Sequence, residues 1–360
     1  MRTIIIVACQ PGSAAALAPV VRALREGAGI SCLVFGLEHA AQSWAMLGVT
    51  AQTVTSFTEA QPYLAAVQPS MLLTGTSFDA VGDGQFWNWA REQGIPSVAF
   101  VDHWINYHQR FSSSPDCPFD CLPGQIAVID ALMARRLIEA GCPEERIIIT
   151  GHPGWDEFIQ RRGYRALGLR QKLAGDSTLI LFASEPLARF YGSMGSCNGL
   201  GYTERDALTL LFNVLETIAE VRKENYTVAV KPHPREDPLA LTDLFVTTHG
   251  RVQAKLVEGN RIELASAAEV VVGISSLLLY ESALMGRPVV ALQPGRVGPS
   301  DLVDHHPGIL LATDHQQAIS ALMQALTGEM PTIPAPEPAV PRWMKLIAAQ
   351  KVTAQVPTTV

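Results

Sequence analysis

The sequence has no basic run. Lys+Arg total 27 against Asp+Glu 34, for a net charge of −7. Nucleic-acid binding needs a basic patch or stripe, so that class of partner is disfavoured. Strong anchoring to anionic lipid is disfavoured for the same reason, leaving at most a peripheral membrane contact. No apolar run approaches the roughly 18 residues that would span a bilayer. The opening "MRTIIIVACQPGS" has too short an apolar run for a signal-peptide core, and a turn follows at once. It reads as a first buried strand. Cysteine is sparse. The six, at 9, 32, 117, 121, 142 and 197, are scattered. Cys117 and Cys121 are close, but no second pair or nearby His completes a zinc pattern, so they read as reduced, structural thiols. The expectation is a soluble, cytoplasmic protein, with the inner face of the cell membrane as the site of any peripheral contact. Two nucleotide signatures are also missing, the glycine-rich P-loop and any Asp-x-Asp. The second absence fits a metal-independent enzyme with no cofactor beyond its co-substrate.

What is present is a rhythm. At 360 residues, 48% hydrophobic and 17% charged, the chain is globular and long enough for two domains. Short β-branched runs alternate with longer amphipathic stretches. "TIIIVA", "SCLVFGL", "MLLTG", "PSVAFVD", "GQIAVID" and "ERIIITG" read as strands in the first half, and "STLILFAS", "YTVAVKP", "EVVVGIS" and "PVVALQP" in the second. Segments such as "AAALAPVVRALREG" and "YTERDALTLLFNVLETIAEVRKE" read as helices. Runs buried on both faces and separated by helices predict parallel sheets in α/β layers. The break falls between Gly151 and Gly175. The expected architecture is two Rossmann-like domains, 1–160 and 176–330, facing across a cleft. A Pro-rich linker and C-terminal helix or tail follow at 331–360.

Ligands of such sheets bind at the carboxyl ends of strands. In the second half three strand ends carry polar residues. "LILFASEP" ends in Ser184 and Glu185, "VAVKPHPRE" in Lys231 and His233, and "VVVGISS" in Ser275 and Ser276, opening directly into a helix. Serine caps helices, and the free N–H groups there make an anion site. Pro232 and Pro234 restrict the backbone on each side of His233, so it loses little entropy on binding. Glu281 lies one to two turns into the helix, placed to reach a ligand hydroxyl. Each residue alone has an ordinary explanation as a cap, a loop or a surface charge. Together they read as a nucleotide phosphate site.

In the first half the polar strand-end loops are "ACQPGSAAALAP", with Gly12 and Ser13; "LLTGTSFDAVGDG", with Thr76, Ser77, Asp79 and Asp83; and "SVAFVDHWINYHQRF", with Asp102, His103 and Arg110. So many polar groups after a buried strand are expensive to bury without a purpose.

"VKPHPRE" together with "GISSLLLYESALMGRPVVALQP" resembles the HP and SS motifs of bacterial GT-B glycosyltransferases of the sialyltransferase, polysialyltransferase and capsule Kdo transferase type. CDP-glycerol glycerophosphotransferases are similar. "IIITGHPGWDEF" resembles the stretch joining the two domains of that superfamily, and the "E…G.PVV" ending is shared with UDP-N-acetylglucosamine 2-epimerases. The resemblance implies a C-terminal donor domain and an N-terminal acceptor domain. In it His233, Lys231 and Ser275/Ser276 contact the donor phosphate and Glu281 the ribose, with Ser184 and Glu185 in support. Asp102, then His103, is the expected base, His233 steadies the departing phosphate, and Gly12, Ser13, Thr76, Asp79 and Arg110 lie on the acceptor side. The expected function is metal-independent transfer of a sugar, foremost a CMP-activated nonulosonate or Kdo, to a hydroxyl of a surface glycan or glycoconjugate. The alternatives are a hydrolysing UDP-N-acetylglucosamine 2-epimerase-like enzyme, for which no "HR.EN"-type stretch is seen, and a glycerophosphotransferase. Sugar, acceptor, linkage and oligomeric state stay open.

Overall fold

A computed structural model describes residues 2–27, 29–37, 39–77, 81–192, 199–331 and 333–350. The chain divides into two compact units, Met1–Asp156 with Pro336–Val360, and Glu157–Ala335.

The first unit holds a seven-stranded sheet of β1 (Arg2–Ala8), β2 (Ile30–Leu37), β3 (Gln52–Val54), β4 (Pro69–Thr74), β5 (Ser97–Phe100), β6 (Gln125–Val128) and β7 (Ile147–Ile149), in the order β3-β2-β1-β4-β5-β6-β7. Every pairing is parallel. Ile4, Ile5, Ile6 and Val7 are all fully buried, so β1 is covered on both faces, as a central parallel strand must be. The helix Pro11–Glu26 returns the chain to β2. It opens on Pro11, whose missing N–H is no loss in a first turn. Pro19, inside the helix, cannot donate to the Ala15 carbonyl. Gly154 lies against that same carbonyl, where an added methyl would sit 3.1 Å from the oxygen. The helix Val340–Ala349 also belongs to this unit. Asp156 caps it by accepting from the N–H groups of Ala339 and Val340 at 2.8 and 2.9 Å. Its Trp343 is fully buried, edge-on to Phe100.

The second unit holds a six-stranded sheet of β8 (Thr178–Ala183), β9 (Tyr226–Lys231), β10 (Val252–Leu256), β11 (Val270–Gly273), β12 (Val289–Leu292) and β13 (Leu310–Ala312), ordered β10-β9-β8-β11-β12-β13 and again parallel throughout. The helix Glu204–Arg222 packs Leu208, Leu211, Phe212, Leu215 and Ile218 into its core. A capping box starts that helix: the Thr203 hydroxyl accepts from the Asp206 N–H, and Asp206 accepts from the Thr203 N–H. The α/β fold class with two parallel-sheet domains is therefore the one expected. Three strands escape the sequence pattern, β3, β10 and β13. All are edge strands, short and partly exposed; β3 and β10 carry polar residues, and β13 is only the three residues Leu310–Ala312. Among the described residues no helix is long and apolar enough to cross a membrane.

Candidate functional site

Each sheet has one point where the strand order reverses, and ligands of open α/β sheets bind outside the carboxyl ends there. In the second unit that point lies between β8 and β11. Ala183 pairs with Gly273 on one side and with Lys231 on the other. The residues after these, Ser184-Glu185, Pro232-His233 and Ile274-Ser275, therefore emerge at one level. The structure thus brings together Ser184, Glu185, Lys231, His233 and Ser275.

Their bonding is specific. Glu185 Oε2 accepts from the Ser275 N–H at 2.7 Å, and the Ser275 hydroxyl lies 3.2 Å from Oε1. Burial pushes the Glu185 carboxyl up to about 7, against the bonds from Ser275. Glu236 accepts from the Ser184 hydroxyl at 2.7 Å and from the His233 N–H at 2.9 Å, which locks the "PHPRE" turn. Burial raises the Glu236 carboxyl too. The Arg235 N–H donates to His233 Nδ1 at 3.1 Å. The proton of the neutral ring is then on Nε2, which is the donor left for a ligand. Burial, with Arg235 and Lys231 nearby, lowers His233 to about 4. It offers a ligand a neutral N–H and no charge.

Ser276 caps the helix Leu277–Leu284 by accepting from the Leu278 N–H at 3.3 Å. Glu281, one turn in, is fully buried and pairs with Arg261 at 2.9 Å. Burial raises its carboxyl, opposed by Arg261 and Lys231. Lys231 is lowered by burial and then by Arg261. Lys231 and Arg261 are thus the positive charges felt by the buried Glu281. Sequence reasoning missed Glu236 and Arg261. Glu236 stands three residues after His233 in the quoted motif, and its reach back to a backbone N–H is the signal that was there to read. Arg261 carries no sequence signal, since it meets Glu281 only through the fold.

In the first unit the reversal lies between β1 and β4. Val7 pairs with Thr74, and Thr74 with Ala99, so the loops holding Gly12, Thr76 and Asp102 emerge together. The Ser13 hydroxyl donates to the Thr76 carbonyl at 3.1 Å. Arg110 and Asp102 form a buried ion pair at 3.1 Å. Arg110 also donates to the Thr76 hydroxyl at 2.7 Å and the Ile105 carbonyl at 3.1 Å. Gly12 and Gly75 make room for this cluster. A methyl on Gly12 would sit 2.6 Å from Asp102 Oδ2, and one on Gly75 would overlap Ser13. Asp83 is fully buried in the first turn of the helix Val81–Glu92. Burial pushes its carboxyl up to about 6, with the polar Ser77 and Cys9 side chains close by opposing the rise. Part of the 102–110 loop is packing. Trp104 is buried, stacks on Trp155 and donates its indole N–H to Asp130. His103 is partly buried, edge-on to Trp104. Asp79 lies outside the described residues.

No protein-family model and no curated protein sequence matches the chain. Solved structures do. A UDP-GlcNAc 2-epimerase from Methanocaldococcus jannaschii superposes with a TM-score of 0.69 at 13% identity, over 97% of this chain and 99% of that one. The UDP-GlcNAc 2-epimerase of Neisseria meningitidis, solved with UDP-GlcNAc, gives 0.67 at 14%, over 97% and 99%. Anabaena HepE in complex with UDP-glucose gives 0.59 at 14%, over 98% and 96%. The chain has a GT-B-like fold. These likenesses overturn the expectation of a CMP-sugar transferase of the sialyltransferase or capsule Kdo type, with its glycan acceptor. They favour the UDP-sugar 2-epimerase alternative. The physical reason for the error is plain. A histidine locked after one strand and a serine capping the helix after another are local features of strand ends. They report backbone geometry at a switch point and carry no information on base or sugar.

Proposed function

We propose that the protein is an enzyme that acts on a UDP-sugar of the UDP-N-acetylglucosamine type and inverts the sugar at C2. The observation that carries this reading is the likeness over nearly the whole chain to 2-epimerases, joined to phosphate-compatible strand ends in the second unit. In this reading the second unit binds UDP. Lys231 and Arg261 supply positive charge, His233 Nε2 donates to a phosphate oxygen, and the amino end of the helix Leu277–Leu284 faces the anion. Charge that develops on the departing phosphate is stabilised there.

Inversion at a carbon bearing hydrogen removes a proton and returns it on the opposite face. That needs at least one acid or base whose proton is mobile near neutral pH. Asp83, with its carboxyl near 6, meets that requirement in the first unit. Asp102, ion-paired to Arg110, is the second carboxyl of the same cluster. Arg110, expected on an acceptor side, holds Asp102 in place, and Thr76 in turn accepts from Arg110. The test is to incubate the protein with UDP-N-acetylglucosamine and follow the sugar by proton NMR alongside a UDP assay. An epimerised free sugar is expected, with UDP released and water supplying the hydroxyl that replaces it at C1. Saturable UDP binding with no change at C2 would sink the epimerase reading.

A further inference from the structure

The place where a phosphate would meet the second unit already holds an anion. Ser275 stands at the strand-order reversal, next to the amino end of the helix Leu277–Leu284, and its donors are taken. Its N–H points to Glu185 Oε2 at 2.7 Å and its hydroxyl to Oε1 at 3.2 Å. A ligand phosphate on Ser275 therefore meets a carboxylate, and two adjacent anions repel. We infer that Glu185 is a proton-dependent gate on this site: a phosphate takes the Ser275 donors only as Glu185 accepts a proton from solvent, and the resulting carboxylic acid turns its O–H to a phosphate oxygen. One proton is taken up for each ligand bound to the ionised form, and no other bond changes. The inference rests on the UDP reading above.

The surroundings support it. Glu236, on the neighbouring strand end, adds a second negative charge that favours protonation of Glu185. The N–H groups of Ser275 and Ser276 oppose it. The Tyr202 hydroxyl lies nearby and is itself pushed up by burial first and Glu185 second, with Arg296 opposing, so it stays protonated. With burial holding the Glu185 carboxyl near 7, the gating proton is exchanged around neutral pH.

The test is calorimetric titration of UDP between about pH 7.5 and 9, above the phosphate's own pKa of about 6. Wild-type affinity is expected to fall by up to about tenfold per pH unit. Glu185→Gln keeps the hydrogen-bonding shape without the charge; its affinity is expected to stay flat within about twofold and to exceed wild type at the alkaline end. Repeating the wild-type titration in two buffers of different ionisation heat counts the proton directly, whatever the variant does. A flat wild-type profile without proton uptake overturns the gate and leaves the UDP reading standing. A slope that Glu185→Gln retains belongs to Lys231 and also overturns it. Sulfate, whose charge is constant over this range, separates the two claims. If UDP does not bind but sulfate stabilises the protein with a slope that Glu185→Gln abolishes, the gate stands and the UDP reading falls. If neither anion binds, both fall.

Discussion

Replacing Asp83 with Asn is expected to make the protein more stable and less active. The carboxyl is fully buried in the first unit, and burial pushes it from the ordinary 3.8 up to about 6. Each pH unit of displacement is worth about 1.4 kcal/mol, so holding Asp83 ionised in the folded state costs about 3 kcal/mol. The sign follows from which state binds the proton more tightly. The folded state does, so stability from this group is complete below about pH 3.8 and is lost as pH rises through about 6. Asn is isosteric and never ionises, so it escapes that loss. Urea unfolding of wild type and Asp83→Asn at several pH values between 4 and 8 measures the difference. The expected gain is near zero at pH 4, grows through pH 5 to 6, and levels at up to about 3 kcal/mol above pH 7. Turnover of UDP-N-acetylglucosamine should fall by at least about a hundredfold, the usual scale for a lost acid–base group. Stability bought at the expense of activity is the mark of a strained functional group. A variant less stable than wild type at pH 8, or a difference that does not vary with pH, would refute the reasoning.

Arg110→Met strands the buried Asp102 charge and is expected to destabilise by about 3–5 kcal/mol, while adding Asp102→Asn recovers part of the loss; urea midpoints of the three variants decide it, and a single variant within 1 kcal/mol of wild type contradicts the pairing. His233→Ala should remove most of the roughly 2.7 kcal/mol that UDP adds at a hundred times its dissociation constant, read as a thermal shift. The His233 ring protons should show no titration in NMR spectra between pH 5.5 and 8, because the imidazole is lowered to about 4; an inflection near 6.5 would show it is not held neutral. Trp343→Ala empties a fully buried site against Phe100 and should cost about 3–5 kcal/mol, with a helix Val340–Ala349 that becomes protease-sensitive; unchanged protection would mean the helix does not depend on that anchor.

The interior of each sheet was legible because burial on both faces leaves a continuous apolar signature, as in Ile4 to Val7 and Val270 to Val272. The edge strands β3 and β10 were not, because an edge tolerates polar residues such as Gln52, Thr53, Gln253 and Lys255, whereas the edge strand β7 was legible through its run of three isoleucines. Polar residues at strand ends were legible for the converse reason. Lys231, His233 and Ser275 interrupt runs that would otherwise continue. What they bond to was hidden. The Ser275 N–H reads as a free helix-terminal donor in sequence, yet Glu185, 90 residues earlier, fills it. The partner of Glu281 is likewise set by tertiary contact with Arg261. Nucleotide and sugar were hidden more deeply still, since no short motif in the chain encodes a preference for either.

The two units reach the same arrangement by different residues. Where the strands part in the first sheet, Arg110 joins Asp102 to the Thr76 hydroxyl, and Asp83 is buried near Ser77 and Cys9. Where they part in the second, serines hold Glu185 and Glu236. A fold selected for stability alone would place apolar side chains at these points, because each buried carboxyl must lose hydration to be there. Hydroxyls and backbone N–H groups offset part of that loss, and the raised Asp83 and Glu185 carboxyls record the remainder. Protons that leave and return near neutral pH are what the remainder provides. That is the property an enzyme inverting a C–H centre needs in one unit, and the property a gate on an anion needs in the other. The Asp83→Asn and Glu185→Gln variants therefore test one principle twice, with opposite readouts: the first should gain stability and lose chemistry, the second should gain alkaline affinity and lose its proton linkage.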